Sequence, residues 1–182
     1  MFHHTIKKNH VYKLDALITS HDDFDHSGAL STLVEKFDVK KIAKLEKSFP
    51  INVGGIIISN YNNFGNFYSD ENSKSLVLGF NILNLDFVIT GDAPIEIEKE
   101  IMKNYANIPC DVLKVGHHGS NTSTSDEFVK YLSPKEAVIS VGKNNKYRHP
   151  HDSVLKTLQN NNVLIKRTDV LGTITYSNYK FL

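Results

Sequence analysis

A chain of 182 residues, 40% hydrophobic and 23% charged, is long enough to bury one sizeable core and has the composition of an ordinary globular protein. Its formal net charge of +1 excludes a global basic field, so any contact with nucleic acid or anionic lipid has to be local. The lone Cys110 excludes an intrachain disulfide and a cysteine-built zinc cage, and no apolar run approaches the ~18 residues of a membrane span.

Residues 1–182 read as a single domain, with no repeat and no linker. The apolar run YKLDALIT (12–19) predicts a strand that leads directly into SHDDFDH (20–26). Beyond Gly28, Leu30, Leu33, Val34 and Phe37 recur at helical spacing, and GGIIIS (54–59) predicts a second strand. The Asn-rich stretch 60–74 reads as a loop, the least ordered-looking part of the chain. Residues 75–80 and 85–90 predict a hairpin, and Pro94 stands near the start of a helix, where its missing N–H does no harm. Strand 111–115 precedes a helix over DEFVKYL (126–132), with Thr124 and Glu127 spaced as a capping box. Strand 136–141, helix 151–161 and two last strands, 163–168 and 172–177, complete the order. Strands interleaved with helices predict a layered α/β or α+β fold.

The chemistry-bearing residues all follow predicted strands, where the loops of such folds gather on one face. His21, Asp23, Asp25 and His26 follow the first strand, Asp92 follows strand 85–90, and His117 and His118 follow strand 111–115. The loop GKNNKYRHPH follows strand 136–141. A single Asp at a strand end is usually a turn residue. The joint pattern HxDxDH, TGD and HHG, each behind a strand, is better explained by a divalent ion, since imidazole with carboxylate suits Zn²⁺ or Mn²⁺. An ion there lowers the pKa of its water towards ~7, which is hydrolysis chemistry. Lys143, Lys146 and Arg148, with Tyr147 among them, suit phosphates and stacked bases; Ser120 and His118 offer further polar contacts. His149, ahead of Pro150, is a candidate supporting hydrogen-bond donor, general acid or loop anchor.

LDALITSHDDFDHSGAL, NSKSLVL…FVITGDA, DVLKVGHHGSNTSTS and AVISVGKNNKYRHPH together resemble the metallo-β-lactamase-fold domain of the ComEC competence proteins, over about residues 12–176. The resemblance implies an αββα sandwich with a metal site at its rim, and a phosphodiesterase that degrades the DNA strand not taken up. It implies His21 and Asp23 as ligands of a first ion, Asp25 and His26 as ligands of a second, Asp92 as the bridging carboxylate and His117 as the late histidine. Asp25, Asp92 and His149 are then the expected catalytic groups, with Asp25 orienting the attacking water. One or two ions are expected, and Asp23, where the superfamily more often has His, favours Mn²⁺ over Zn²⁺. No His occurs in 60–80, where the superfamily has one; Asn72 and Ser75 stand there.

The family's first strands have no counterpart ahead of residue 12, so the expectation is an N-terminally truncated domain, completed by a longer reading frame or a partner chain. Single-stranded DNA is the expected substrate and a membrane channel a further partner. Family analogy puts such a domain at the outer face of the cell membrane; standing alone it would be cytoplasmic. Two alternatives stay open at this point, a catalytically weak metal- or DNA-binding remnant and a hydrolase of another ester or amide.

Overall fold

The computed structural model describes residues 11–43, 48–64 and 67–177. The first predicted strand is broken at Asp15 into β1 (Lys13–Leu14) and β2 (Leu17–Ile18). Asp15 turns outward there to an exposed ion pair with Lys40, 2.6 Å away. Two short helices follow, α1 (Phe24–Ser27) and α2 (Leu30–Lys36), and α2 buries Leu33. The chain then returns as β3 (Asp38–Val39), parallel to β1, and β4 (Ile42–Ala43), parallel to β2.

The main sheet has seven strands. Its first part is an antiparallel meander of β5 (Ile51–Val53), β6 (Ile56–Asn60), β7 (Leu78–Ile82) and β8 (Leu85–Ile89). The sequence reading missed β5 because Ile51–Val53 is too short to show a period; GG at 54–55 is the hairpin turn rather than the start of a strand. Both glycines have positive φ there (+59° and +90°), which a side chain at either position would resist. Beyond β8 the sheet turns parallel, through β9 (Val112–Lys114), β10 (Glu136–Ile139) and β11 (Leu164–Arg167).

Three helices cover one face of this sheet. In α3 (Ile95–Asn104), Ile97 and Ile101 are four apart, so both point at the sheet, where they join Val77, Val88 and Leu113. Phe128 of α4 (Asp126–Leu132) closes that cluster, and Val154 and Leu158 of α5 (Asp152–Asn160) pack with Ala137 and Ile139. Each such buried side chain contributes about 1.5–3 kcal/mol of transfer free energy. The opposite face carries Leu78, Phe80 and Ile89, which line a cavity of about 390 Å³ together with Ile18 and Ile58.

Two local expectations are corrected. The N-cap of α4 is Ser125, whose hydroxyl accepts the Phe128 N–H at 3.2 Å, while Thr124 Oγ1 instead accepts the Gly116 N–H. Residues 172–177 form no strand; 168–171 coil into a helical turn, α6 (Thr168–Leu171), and Tyr176 packs edge-on against Phe87. The Asn-rich loop is also better tied than its composition suggests. Asn62 is 2% exposed and donates to the carbonyls of Ser73 and Ser75, both at 2.8 Å, which fixes Ser75 beneath the site.

Candidate metal centre

Four connections converge at the strand ends: β2 to α1, β8 to α3, β9 to α4, and β10 to α5. Gly91 makes the close approach possible. It has φ +53°, and a Cβ there would lie 2.9 Å from Ser75 Cβ and 3.1 Å from Ser20 Cβ. Those two serines back the histidines. Ser20 Oγ is 3.0 Å from His21 Nδ1 and 2.9 Å from His26 Nδ1, and Ser75 Oγ is 3.1 Å from His21 Nδ1 while accepting the Asp92 N–H.

With both Nδ1 atoms engaged, both Nε2 atoms turn inward. His21 Nε2, His26 Nε2 and Asp92 Oδ1 are all buried and all lack a hydrogen-bond partner among the described residues. His26 Nε2 and Asp92 Oδ1 stand 3.3 Å apart, close enough to attract but not aligned to bond. Orphaned buried polar atoms cost about 1–3 kcal/mol each, so these three call for partners that the described residues do not supply. A divalent cation fits that requirement.

Asp25, His26, Asp92 and His118 each offer a donor atom, and the four atoms lie within 4.8 Å of one another. His118 is oriented by a bond that fixes its tautomer. Nδ1 lies 2.7 Å from the Ser140 carbonyl, which can only accept, so the proton is on Nδ1 and Nε2 is free to face Asp25. The sequence reading had His117 completing this set and His118 meeting substrate. His118 joins the four donors, and His117 Nε2 stands 3.6 Å from the other Asp92 oxygen. His21 and Asp23 form a neighbouring pair, with Nε2 and Oδ2 3.6 Å apart.

The backbone aims this pair by an uncommon route. His117 and His118 have φ of +46° and +55°, and Gly119 follows at +87°, so the chain runs through three left-handed residues. Consecutive side chains on such a turn diverge, and the two imidazoles reach opposite ends of the group. Gly119 is required by contact as well, since a Cβ there would lie 2.5 Å from Pro150 Cβ.

The electrostatics agree with a cation. Burial works against the Asp92 charge, but His26, Lys114 and His117 outweigh it and hold the carboxyl well below the ordinary carboxylate range. Burial and the neighbouring His26 lower the His21 pKa against the pull of Asp92, Asp23 and Asp25, which keeps a lone pair on the ring. Lys114 lies below the group, its Nζ 3.4 Å from the Gly91 carbonyl; burial lowers its pKa against the pull of Asp92 and Asp25, and the sequence reading did not single it out. Its place at the end of a buried strand was the available signal.

The remaining expected residues divide. Tyr147 and His149 line a cavity shared with Asp25 and His118, and burial with His151, His117 and His118 around it lowers the His149 pKa. Lys143, Lys146 and Arg148 are exposed and lie outside that lining. Ser120 is corrected from a substrate contact to a scaffold residue: it is 5% exposed and its hydroxyl bonds Thr122 Oγ1 at 3.0 Å.

The seven-stranded sheet, the helices on one face and the donor group at the strand ends define a metallo-β-lactamase fold. A solved structure of the β-hydroxylase CmlA, in a mutant form, superposes on 85% of the chain and 43% of its own at a TM-score of 0.52, with 12% sequence identity. No family model matches the chain. Its sequence is 37% identical over 193 aligned residues, 91% of the chain, to ComE operon protein 3 of Bacillus subtilis. It is 30% identical over 177 aligned residues, again 91% of the chain, to Competence protein ComA of Neisseria gonorrhoeae. Over most of its length the chain is thus similar to one segment of these competence proteins. It spans about a quarter of the length of these relatives, 25% of the first and 26% of the second. Among the described residues, no helix is long and apolar enough to cross a membrane.

Proposed function

We propose that this chain is a metal-dependent phosphodiesterase acting on single-stranded DNA in competence-related DNA uptake. The observation that carries the reading is the four-donor group of Asp25, His26, Asp92 and His118, in which His26 Nε2 and Asp92 Oδ1 are buried and unpartnered among the described residues, with the equally unpartnered His21 Nε2 beside it. Asp25, His26, Asp92 and His118 would hold one Mn²⁺ or Zn²⁺ ion; His21, Asp23 and His117, with Asp92 shared, would hold another. A divalent ion so held supplies Lewis-acid polarisation of a phosphoryl oxygen and a nucleophilic water at neutral pH.

The chain's own groups do the rest. Asp92, nearly enclosed and ionised, is the fixed anchor between the histidines. Asp25, its side chain 66% exposed, faces solvent and substrate and is the group that orients the attacking water. Ser140 holds the His118 proton on Nδ1, which leaves the Nε2 lone pair to meet an ion. His149, on the cavity wall, is the proposed proton donor to the leaving oxygen, a role that needs the nearby substrate charge to offset the burial that lowers its pKa. The exposed cations Lys143, Lys146 and Arg148 hold the backbone outside the cavity; a β-lactam or neutral ester offers them no comparable run of charge.

The test is metal content of the purified chain together with Mn²⁺-dependent cleavage of labelled single-stranded DNA. Bound metal and cleavage that Asp92→Ala abolishes, with the fold retained, support the reading. A folded protein that binds no divalent metal refutes it, and metal without cleavage leaves a metal-binding domain that lacks the proposed activity.

A further inference from the structure

A cavity of about 380 Å³ opens against the four-donor group, sharing Asp25 and His118 with it; Ser140, Tyr147, His149 and Thr168 are among its other walls. Its polar groups fall into two sets. Thr168 Oγ1 accepts the Val141 N–H at 2.8 Å and lies 2.9 Å from the Val141 carbonyl, and Asn145 bonds Gly142 and His149 through their backbones. Those side chains build the wall and are fully used. The Ser140 hydroxyl, the Tyr147 hydroxyl and the His149 ring make no hydrogen bond to another described residue, although all three belong to the lining. Tyr147 is 63% exposed, and its ring lies within 25° of parallel to that of His149, 5.7 Å away.

Charge selects what such a space takes. The lining itself contains no Lys or Arg and its one carboxylate is Asp25, while Lys146 Nζ stands at its edge, 4.7 Å from the Tyr147 ring centroid, so the interior offers an anion no direct partner. An uncharged, flat group with hydrogen-bonding edges is accepted. The size is at the low end of the roughly 300–1,000 Å³ of small-molecule sites, room for one base with its sugar.

We propose that this cavity is a nucleoside pocket, holding one unpaired base and its sugar, stacked on Tyr147, while the adjoining phosphate lies at the four-donor group. The proposal rests on the phosphodiesterase reading above and adds its specificity: a base can enter only when unstacked and unpaired, which selects single strands over duplex.

The experiment titrates the uncharged nucleoside thymidine into the full chain in EDTA, followed by amide chemical shifts, beside cleavage assays with Mn²⁺. Saturable shifts are expected at Ser140, Gly142 and Tyr147, with inorganic phosphate failing to compete. Stacking is worth ~1–3 kcal/mol per base, so Tyr147→Ala is expected to weaken thymidine binding about 5- to 150-fold, whereas Tyr147→Phe stays within about twofold. In the cleavage assay Tyr147→Ala raises KM for single-stranded DNA more than it lowers kcat. Thymidine binding that depends on Tyr147 without any cleavage supports the pocket and refutes the enzyme. Cleavage with wild-type KM in Tyr147→Ala, or absent thymidine binding, overturns the pocket and leaves the enzyme standing.

Discussion

Replacing Glu98 with alanine is expected to destabilise the protein by about 2–5 kcal/mol and to weaken metal binding, although Glu98 is no part of the donor group. Glu98 is 2% exposed, and its carboxylate accepts the N–H groups of Thr124 and of Ser125, the latter at 2.9 Å, at the mouth of α4. Removing it orphans two donors at ~1–3 kcal/mol each, offset in part because an enclosed charge is also removed. For a chain of this size the loss corresponds to a Tm lower by roughly 4–20 °C. Burial is the largest influence on Glu98 and raises its pKa above 4.5, against the two N–H bonds. The folded state therefore binds this proton more tightly than the unfolded chain. Its contribution is fully present below the unfolded value and is lost as pH rises through the folded value. Urea melts of the wild type and Glu98→Gln across pH 4–8 are the assay. Stability of the wild type relative to Glu98→Gln is expected to fall as pH rises. A difference that is flat with pH, or an alanine variant within 1 kcal/mol of wild type, refutes the reasoning. The link to metal runs through Thr124, whose hydroxyl holds the Gly116 N–H one residue before His117.

Three further outcomes are expected. Gly91→Ala forces a Cβ into a left-handed residue and against Ser75 and Ser20, so it should cost over ~2 kcal/mol in urea melts and reduce metal content together. His118→Ala should lower Mn²⁺ affinity in calorimetry more than His117→Ala does, because only His118 belongs to the four-donor group; the reverse order refutes that assignment. Mn²⁺ at about 100 times its Kd should stabilise the metal-free protein by ~2.7 kcal/mol in thermal melts, and Asp92→Ala should remove that gain.

Long, strongly patterned elements were legible in the sequence. The bounds of α4 agree with those read from DEFVKYL, and the hairpin of β7 and β8 lies within two or three residues of its prediction, since a full amphipathic period or a turn such as Leu83–Asn84 states itself locally. What failed was short or tertiary in origin. β5 has three residues, and 172–177 carries a β-rich composition that finds no ladder, because Tyr176 is held by Phe87 and Glu136 instead. The donor residues were legible as a set, since each follows a strand. Their assignment within the set was not, because which of two adjacent histidines faces Asp25 depends on backbone sign at 117 and 118, and sequence spacing is silent on that. Ser20 and Ser75 lay equally hidden: a serine that engages a histidine Nδ1 is indistinguishable in sequence from a solvated one.

The left-handed pair itself is open to a direct test. An L-residue in that region costs roughly 1–2 kcal/mol, relieved only in glycine, while glycine also loosens the unfolded chain by about 0.4–1 kcal/mol relative to alanine. Both His117→Gly and His117→Ala lose the imidazole and its 3.2 Å contact with Thr122, so they differ only in the Cβ at φ +46°. In the metal-free protein the glycine variant is therefore expected to be the more stable by about 0.5–1 kcal/mol, opposite to the order on a helix such as α3. Urea melts in EDTA decide it. If alanine is the more stable, the backbone at 117 leaves the left-handed region without metal, and the donor group is assembled by the ion. If glycine is, the turn stands ready before any ion arrives, and its conformational cost is met by the packing of Gly119 on Pro150 and the bond from the His117 N–H to the Gly91 carbonyl.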